Sequence, residues 1–149
     1  GMFTMLMTSE EKAKELSVDP GITIQLIGSS EYRTTAGFMP DAPGYAIKEL
    51  LERTGLTMDD MVAVNNHNPF AVNDIVFSKM LDFDWHMMNA TGCPMVYGHH
   101  QGPTLVRVTV EALERAVVVG GGYVLIFGCA AGDVGIAAIF KVTDSKGGR

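Results

Sequence analysis

Three short polar stretches interrupt an otherwise apolar chain: "HNPFAVND" at 67–74, "YGHHQGPT" at 97–104 and "GCAAGD" at 128–133. Between them they hold three of the four histidines, His67, His99 and His100, and one of the two cysteines, Cys129. An imidazole beside a thiol can move a proton, ionise the sulfur, or donate to an oxygen that becomes negative. A metal is not expected. Adjacent His99 and His100 point apart, and no carboxylate or third histidine sits at ligand spacing. Each residue also has a plain structural reading. Asn68, before Pro69, reads as a helix cap. Cys129 in an apolar run fits an inert core thiol, and Cys93 fits packing or loop. His67 fits a hydrogen-bonded structural residue, and His86 beside Trp85 shows only a loop or short helix.

The elements that must position these residues follow from periodicity and breakers. Thr8 with Glu11 makes a capping box for a short helix to Leu16. Ile22, Ile24 and Leu26 alternate with polar residues and predict a strand, and 29–40 reads as loop. A helix over 42–54 is stopped by Gly55. Thr57 and Asp60 cap a turn before a strand at 61–64. Asn68 and Pro69 open the next helix, expected to bury Val72, Ile75, Val76, the stem of Lys79, and Met80. Residues 84–98 are irregular. Pro103 opens a helix in which Val106, Val110, Leu113 and Val117 keep a 4-3-4 rhythm, ended by Gly120, Gly121 and Gly122. Two continuous apolar runs, 123–127 and 134–142, read as a hairpin of strands covered on both faces. Helices and strands alternate and a hairpin closes the sheet, which predicts a layered α/β domain with a mixed sheet. His67, His99 or His100, and Cys129 then fall where strands end or helices begin, the usual ligand crevice of such sheets.

Composition limits the partners. The chain has 149 residues, 47% apolar and 19% charged, enough for one compact unit with a core. A net charge of −6 argues against nucleic acid. The longest apolar run, 116–131, is broken by glycines and too short for a membrane span. Two cysteines make no disulfide framework, and with no secretory leader apparent the expected location is cytoplasmic.

Taken together, the three stretches resemble the signature blocks of the C-terminal half of thiolases, the acetyl-CoA acetyltransferase family. There the order is "NEAFA" or "HEAFA", then "GHPxGxTG", then "CxGGGxG". "TSEEKAKEL" (8–16) and "ELLERTGLTMDDM" (49–61) resemble the usual lead-in. The resemblance implies Claisen condensation of acyl-CoAs or thiolysis of 3-ketoacyl-CoA. It implies Cys129 as the base that forms a carbanion next to the thioester. His99 and His67 would be donors to the thioester oxygen, and the Ala131 amide would lie in a second oxyanion hole. Gly98, His100 and Gly102 would shape the loop that aims His99. The departures are His100 for the family's proline, Leu105 and Ala131 for glycines, and Asn68-Pro69 for Glu-Ala.

The fold implied is a thiolase-like α/β/α domain with a mixed five-stranded sheet. Residues 2–8 would be a remnant of the last strand of an N-terminal domain, and 9–149 the C-terminal domain. The nucleophilic cysteine of the family lies in the half that this sequence lacks. Coenzyme A thioester is the implied substrate, with no covalently bound cofactor. The implied partners are acyl-CoA, a thiolase N-terminal-half chain and a second copy of the chain, with no nucleic acid and no membrane. The alternative is an inactive relative that binds acyl-CoA or serves as an interaction module. A simple hydrolase built on Cys129 and His99 lacks the orienting third group.

Overall fold

The two apolar runs near the C-terminus form the centre of the molecule. A computed structural model describes residues 1–148, so that of the polar tail only Arg149 lies outside the described residues. The helices are α1 (Glu10–Leu16), α2 (Ala42–Thr54), α3 (Ala71–Leu81), α4 (Pro94–Tyr97) and α5 (Thr104–Val118). The strands are β1 (Ile22–Arg33), β2 (Met61–His67), β3 (Gly121–Ala130) and β4 (Val134–Asp144), in the order β1-β4-β3-β2. β2 and β3 run parallel, while β4 is antiparallel to both its neighbours.

Alternation along β3 builds two cores. Leu125 and Phe127 pack with Ala46, Ile47 and Leu50 of α2 and with Phe77 of α3. Val124 and Ile126 pack with Ala112, Leu113 and Ala116 of α5. Helices therefore cover both faces, as the continuous hydrophobicity of β3 requires. Each of the larger of these side chains, the leucines, isoleucines, valine and phenylalanines, contributes roughly 1.5–3 kcal/mol on burial. No helix among the described residues is long and apolar enough to cross a membrane.

The sheet has four strands rather than five. Residues 4–7 form no strand, and Phe3, Met5, Leu6 and Met7 are exposed. A lone extended segment has no neighbour to satisfy its backbone or cover its apolar side. The free edge of β2 carries a single parallel bridge, Val64 to Met88, where the Asn89 amide donates to the Val64 carbonyl at 3.0 Å. Asn89 turns to φ +53 and ends the pairing there.

Other expectations shift locally. Ser9, not Thr8, caps α1. β1 continues through 29–33, read as loop, because Ser29 to Arg33 pair with Ala138 to Val134 at an edge where polar residues face water. α5 buries Thr104, Val108, Thr109, Ala112, Leu113 and Ala116. Of the four residues in the predicted stripe only Leu113 is fully buried. α3 buries Asn73 and Phe77 instead of the predicted face, leaving Val72 and Ile75 exposed. Phe77 stacks on Phe127 at 4.3 Å between centroids, which fixes the rotation of the helix.

Candidate active site

The end of β2 reads Asn65-Asn66-His67, and with Asn68 each of these side chains is buried. Buried amides need partners. Asn65 Nδ2 donates to the Val108 carbonyl of α5 at 3.3 Å. Asn66 Nδ2 and Asn68 Nδ2 each donate to a different oxygen of Asp74, both at 2.7 Å. The Asn66 backbone N–H donates to Asn89 Oδ1 at 2.8 Å. One carboxylate in the first turn of α3 thus clamps the residues on both sides of His67. Asn68 is not the helix cap: Phe70 occupies that position, and Pro69 lies before the helix. The Asn68 amide is drawn inward to Asp74 instead.

His67 points towards α5. Its register partner on β3 is Gly128, where a Cβ would come within 2.9 Å of the His67 Cβ, so glycine makes the room for the histidine. Its ring meets His99 edge to face, with centroids 4.5 Å apart. His67 Nε2 lies 3.3 Å from both nitrogens of His99. His99 Nδ1 lies 3.0 Å from the hydroxyl of buried Thr104, at the start of α5. His67 Nδ1 is buried without a partner. An unpaired lone pair is easier to bury than an unpaired N–H, so the proton is assigned to Nε2, facing His99. Burial, and then the neighbouring His99, lower the His67 pKa from 6.5 to about 4. His67 is therefore a neutral donor at pH 7.

His99 itself is exposed. Gly98 before it takes φ +89 and ψ 157, a conformation open to glycine. Ahead of Gly98, the Tyr97 hydroxyl donates to Glu111 at 2.6 Å, and Arg107 lies over the Tyr97 ring while pairing with the same carboxylate. Burial and the Glu111 carboxylate hold the phenol well above its ordinary pKa. This cluster anchors the loop to α5. Gly102 has an ordinary φ and open space around it, and the left-handed residue of the loop is Gln101, at φ +56. His100 is exposed and lines a shallow cleft with Phe3, Pro103 and Arg107.

Cys129 follows Gly128 but faces the other side of the sheet, towards α3. Its sulfur accepts from Asn73 Nδ2 at 3.4 Å. Burial raises the thiol pKa, and the Asn73 bond opposes the rise. Ala131 is exposed in the turn between β3 and β4. Cys93 is half-buried at the start of α4. Among the described residues no three His, Cys, Asp or Glu side chains gather to hold a metal ion.

The structure brings His67 and His99 into contact and sets Cys129 beside the register partner of His67. The thiol bonds an amide and neither histidine. Sequence reasoning missed Asn66, Asn73, Asp74 and Thr104. The available signal was the run of amides around His67, four polar residues ending a strand too short to expose them.

The model of the thiolase C-terminal domain family matches residues 22–142. The chain belongs to the thiolase C-terminal domain family. The 3-ketoacyl-CoA thiolases of Yersinia enterocolitica and Aeromonas salmonicida are each 28% identical over 159 residues, covering 95% of this chain and 36% of the relative. This thiolase domain thus spans about a third of the length of the relatives it matches. An acetyl-CoA acetyltransferase of Bacillus anthracis superposes with a TM-score of 0.77 at 26% identity, covering 90% of this chain and 34% of that one. The peroxisomal 3-ketoacyl-CoA thiolase of Saccharomyces cerevisiae, described as five layers built from two core domains of identical topology, gives 0.71 at 27% identity over 78% of this chain and 33% of its own. A thiolase of Ascaris suum in complex with coenzyme A shares the fold, with a TM-score of 0.78 at 24% identity over 89% of this chain and 34% of its own.

Proposed function

We propose that this domain is the base-supplying part of a thiolase-type acyl-CoA acyltransferase, completed by a second core domain that carries the nucleophilic cysteine. The observation that carries the reading is the contact of His67 with His99 at the ends of β2 and α4, next to the strand position of Cys129. A thioester laid across the carboxyl ends of β2 and β3 would meet two different faces. On the α3 side the Cys129 thiolate takes a proton from the carbon beside the thioester, giving a thiol and an enolate. On the α5 side the His67–His99 pair donates to the oxygen that gains the charge. Neutral His67 donates through its Nε2–H without bringing a positive charge into the site. His99 is exposed and so open to a ligand.

A partner domain is supported by the apolar residues left bare, among them Phe3, Leu6, Ile24, Val72 and Ile75. The relatives, described as 3-ketoacyl-CoA thiolases and an acetyl-CoA acetyltransferase, support coenzyme A thioesters as the substrate class. Residues 2–8 fit the remnant of a neighbouring domain's strand. The two free cysteines fit a cytoplasmic location. One observation favours the alternative, an inactive relative that binds acyl-CoA: the Cys129 thiol touches no base and burial keeps it protonated.

Mixing the chain with a thiolase N-terminal core domain and following thiolysis of acetoacetyl-CoA separates the two. Turnover is expected, and Cys129→Ala should lower it by about 10²–10⁴-fold. Equal turnover with alanine would remove Cys129 from the mechanism. Binding of coenzyme A with no turnover would assign the chain to the inactive alternative.

A further inference from the structure

We propose that Asn73 is a positioning residue for Cys129, holding its sulfur and stabilising the thiolate; this rests on the reading of Cys129 as the base. The carboxamide sits in the first turn of α3, and its Nδ2 lies 3.4 Å from the sulfur. Both groups are buried, Asn73 at 4% exposure and Cys129 at 9%. Little of either side chain meets water, and the amide is the side-chain donor that reaches the sulfur. In such surroundings a hydrogen bond to the charged form acts with little screening.

The placement of Asn73 is braced from both sides. Asp74, the next residue, is tied to Asn66 and Asn68 of the strand end. Phe77, one turn on, is locked on Phe127 of the strand that carries Cys129. The amide thus has little freedom to leave the sulfur.

The other end of the same amide gives a second observation. Asn73 Oδ1 is buried with no partner. A leucine would fill this place between helix and sheet without stranding a polar atom. The orphan oxygen has a use when the sulfur is protonated. A half-turn of the amide then presents Oδ1 to the S–H, and the opposite orientation presents N–H to the thiolate. One side chain serves both states that a base must visit.

The test uses the chain with Cys93→Ser, so that Cys129 is the sole thiol, and follows its reaction with methyl methanethiosulfonate across pH. The thiolate is the reacting form, so below the midpoint the rate falls tenfold per unit of pH. Asn73→Leu should move the profile up by about one unit or more, which reads as a roughly tenfold or greater loss of rate at pH 8. Asn73→Asp, of nearly the same shape, should move it further because a carboxylate repels the thiolate. Asn73→Ser, a smaller donor, covers the case in which leucine prevents folding, and should shift the profile in the same direction by less. Profiles that superimpose on that of the Asn73 chain would overturn the role. The reaction needs neither a second domain nor coenzyme A. A silent reconstitution therefore leaves this result standing, and an unmoved profile overturns the role of Asn73 even where turnover is found.

Discussion

His67 is placed where two effects oppose its protonation. It is 8% exposed, and a second imidazole lies against its ring. Its folded pKa falls from 6.5 to about 4. The unfolded chain therefore binds a proton more readily than the folded one below pH 6.5. The stabilisation from keeping His67 neutral is fully present above 6.5 and is lost as pH falls towards 4. The full difference corresponds to roughly 3 kcal/mol at 1.36 kcal/mol per unit. His67→Asn removes the titration. Urea unfolding at several pH values should show the His67 chain losing stability relative to this variant between pH 6.5 and 4. Parallel curves would mean that His67 is not buried neutral. The residue types at the site were legible: an imidazole at a strand end, another before a helix and a thiol on the next strand. Their pairing was not. His67 and His99 are 32 residues apart and Asn73 and Cys129 are 56 apart, so periodicity carries no information about either contact.

At the scale of elements, local rules succeeded where the decisive contact was local. α2 ends at Gly55 because a left-handed residue there lets its N–H return to the Leu51 carbonyl, and nothing distant competes. The start of α3 failed the same rules because Asp74 recruits the Asn68 amide, moving the helix start two residues on. The face of α3 was misread for a related reason. The helix is apolar on several sides, and the stacking of Phe77 on Phe127 chose among them. Gly135 shows the reverse, a tertiary demand at a position where local conformation demands nothing. A Cβ there would lie 2.2 Å from the backbone nitrogen of Pro43, so the start of α2 sits directly on β4. Both partners are backbone and cannot rotate away. Gly135→Ala should cost about 1–3 kcal/mol or more, the range for overpacking. Gly37→Ala is the control, since its surroundings are empty and only its φ of +89 is strained. Thermal melts should rank Gly135→Ala as the more damaging of the two. The reverse order would mean that α2 is free to move off the sheet.

At the scale of the molecule, layering and mixed strand directions were readable because β3 and β4 are apolar over residues 123–127 and 134–140 and are separated by a short turn. The strand count was not. Apolar residues at 4–7 resemble a strand in isolation, but strand formation depends on a neighbour, and the described chain offers none. The same dependence leaves β1 with an open edge. Among the described residues it is a twelve-residue strand paired only with β4. On it Ile24 and Leu26 are 50% and 38% exposed, with neither proline nor lysine along its length. The stretch from Ile22 to Leu26, ahead of the bulge before Gly28 and of the charged Glu31 and Arg33, carries no such guard, and an apolar edge of this kind templates pairing with another copy. The chain on its own should therefore self-associate through β1, and sedimentation should show weight-average mass rising with concentration. Ile24→Lys combined with Leu26→Lys places two like charges on the edge and should return the protein to a monomer without lowering its melting temperature much, because both side chains are already half in water. Self-association that persists in this double variant would move the contact elsewhere, to the bare face of α3 at Val72 and Ile75 or to the exposed segment at residues 3–7. A chain that stays monomeric before any substitution would show that the twist and polar second half of β1, from Ser29 to Arg33, are guard enough.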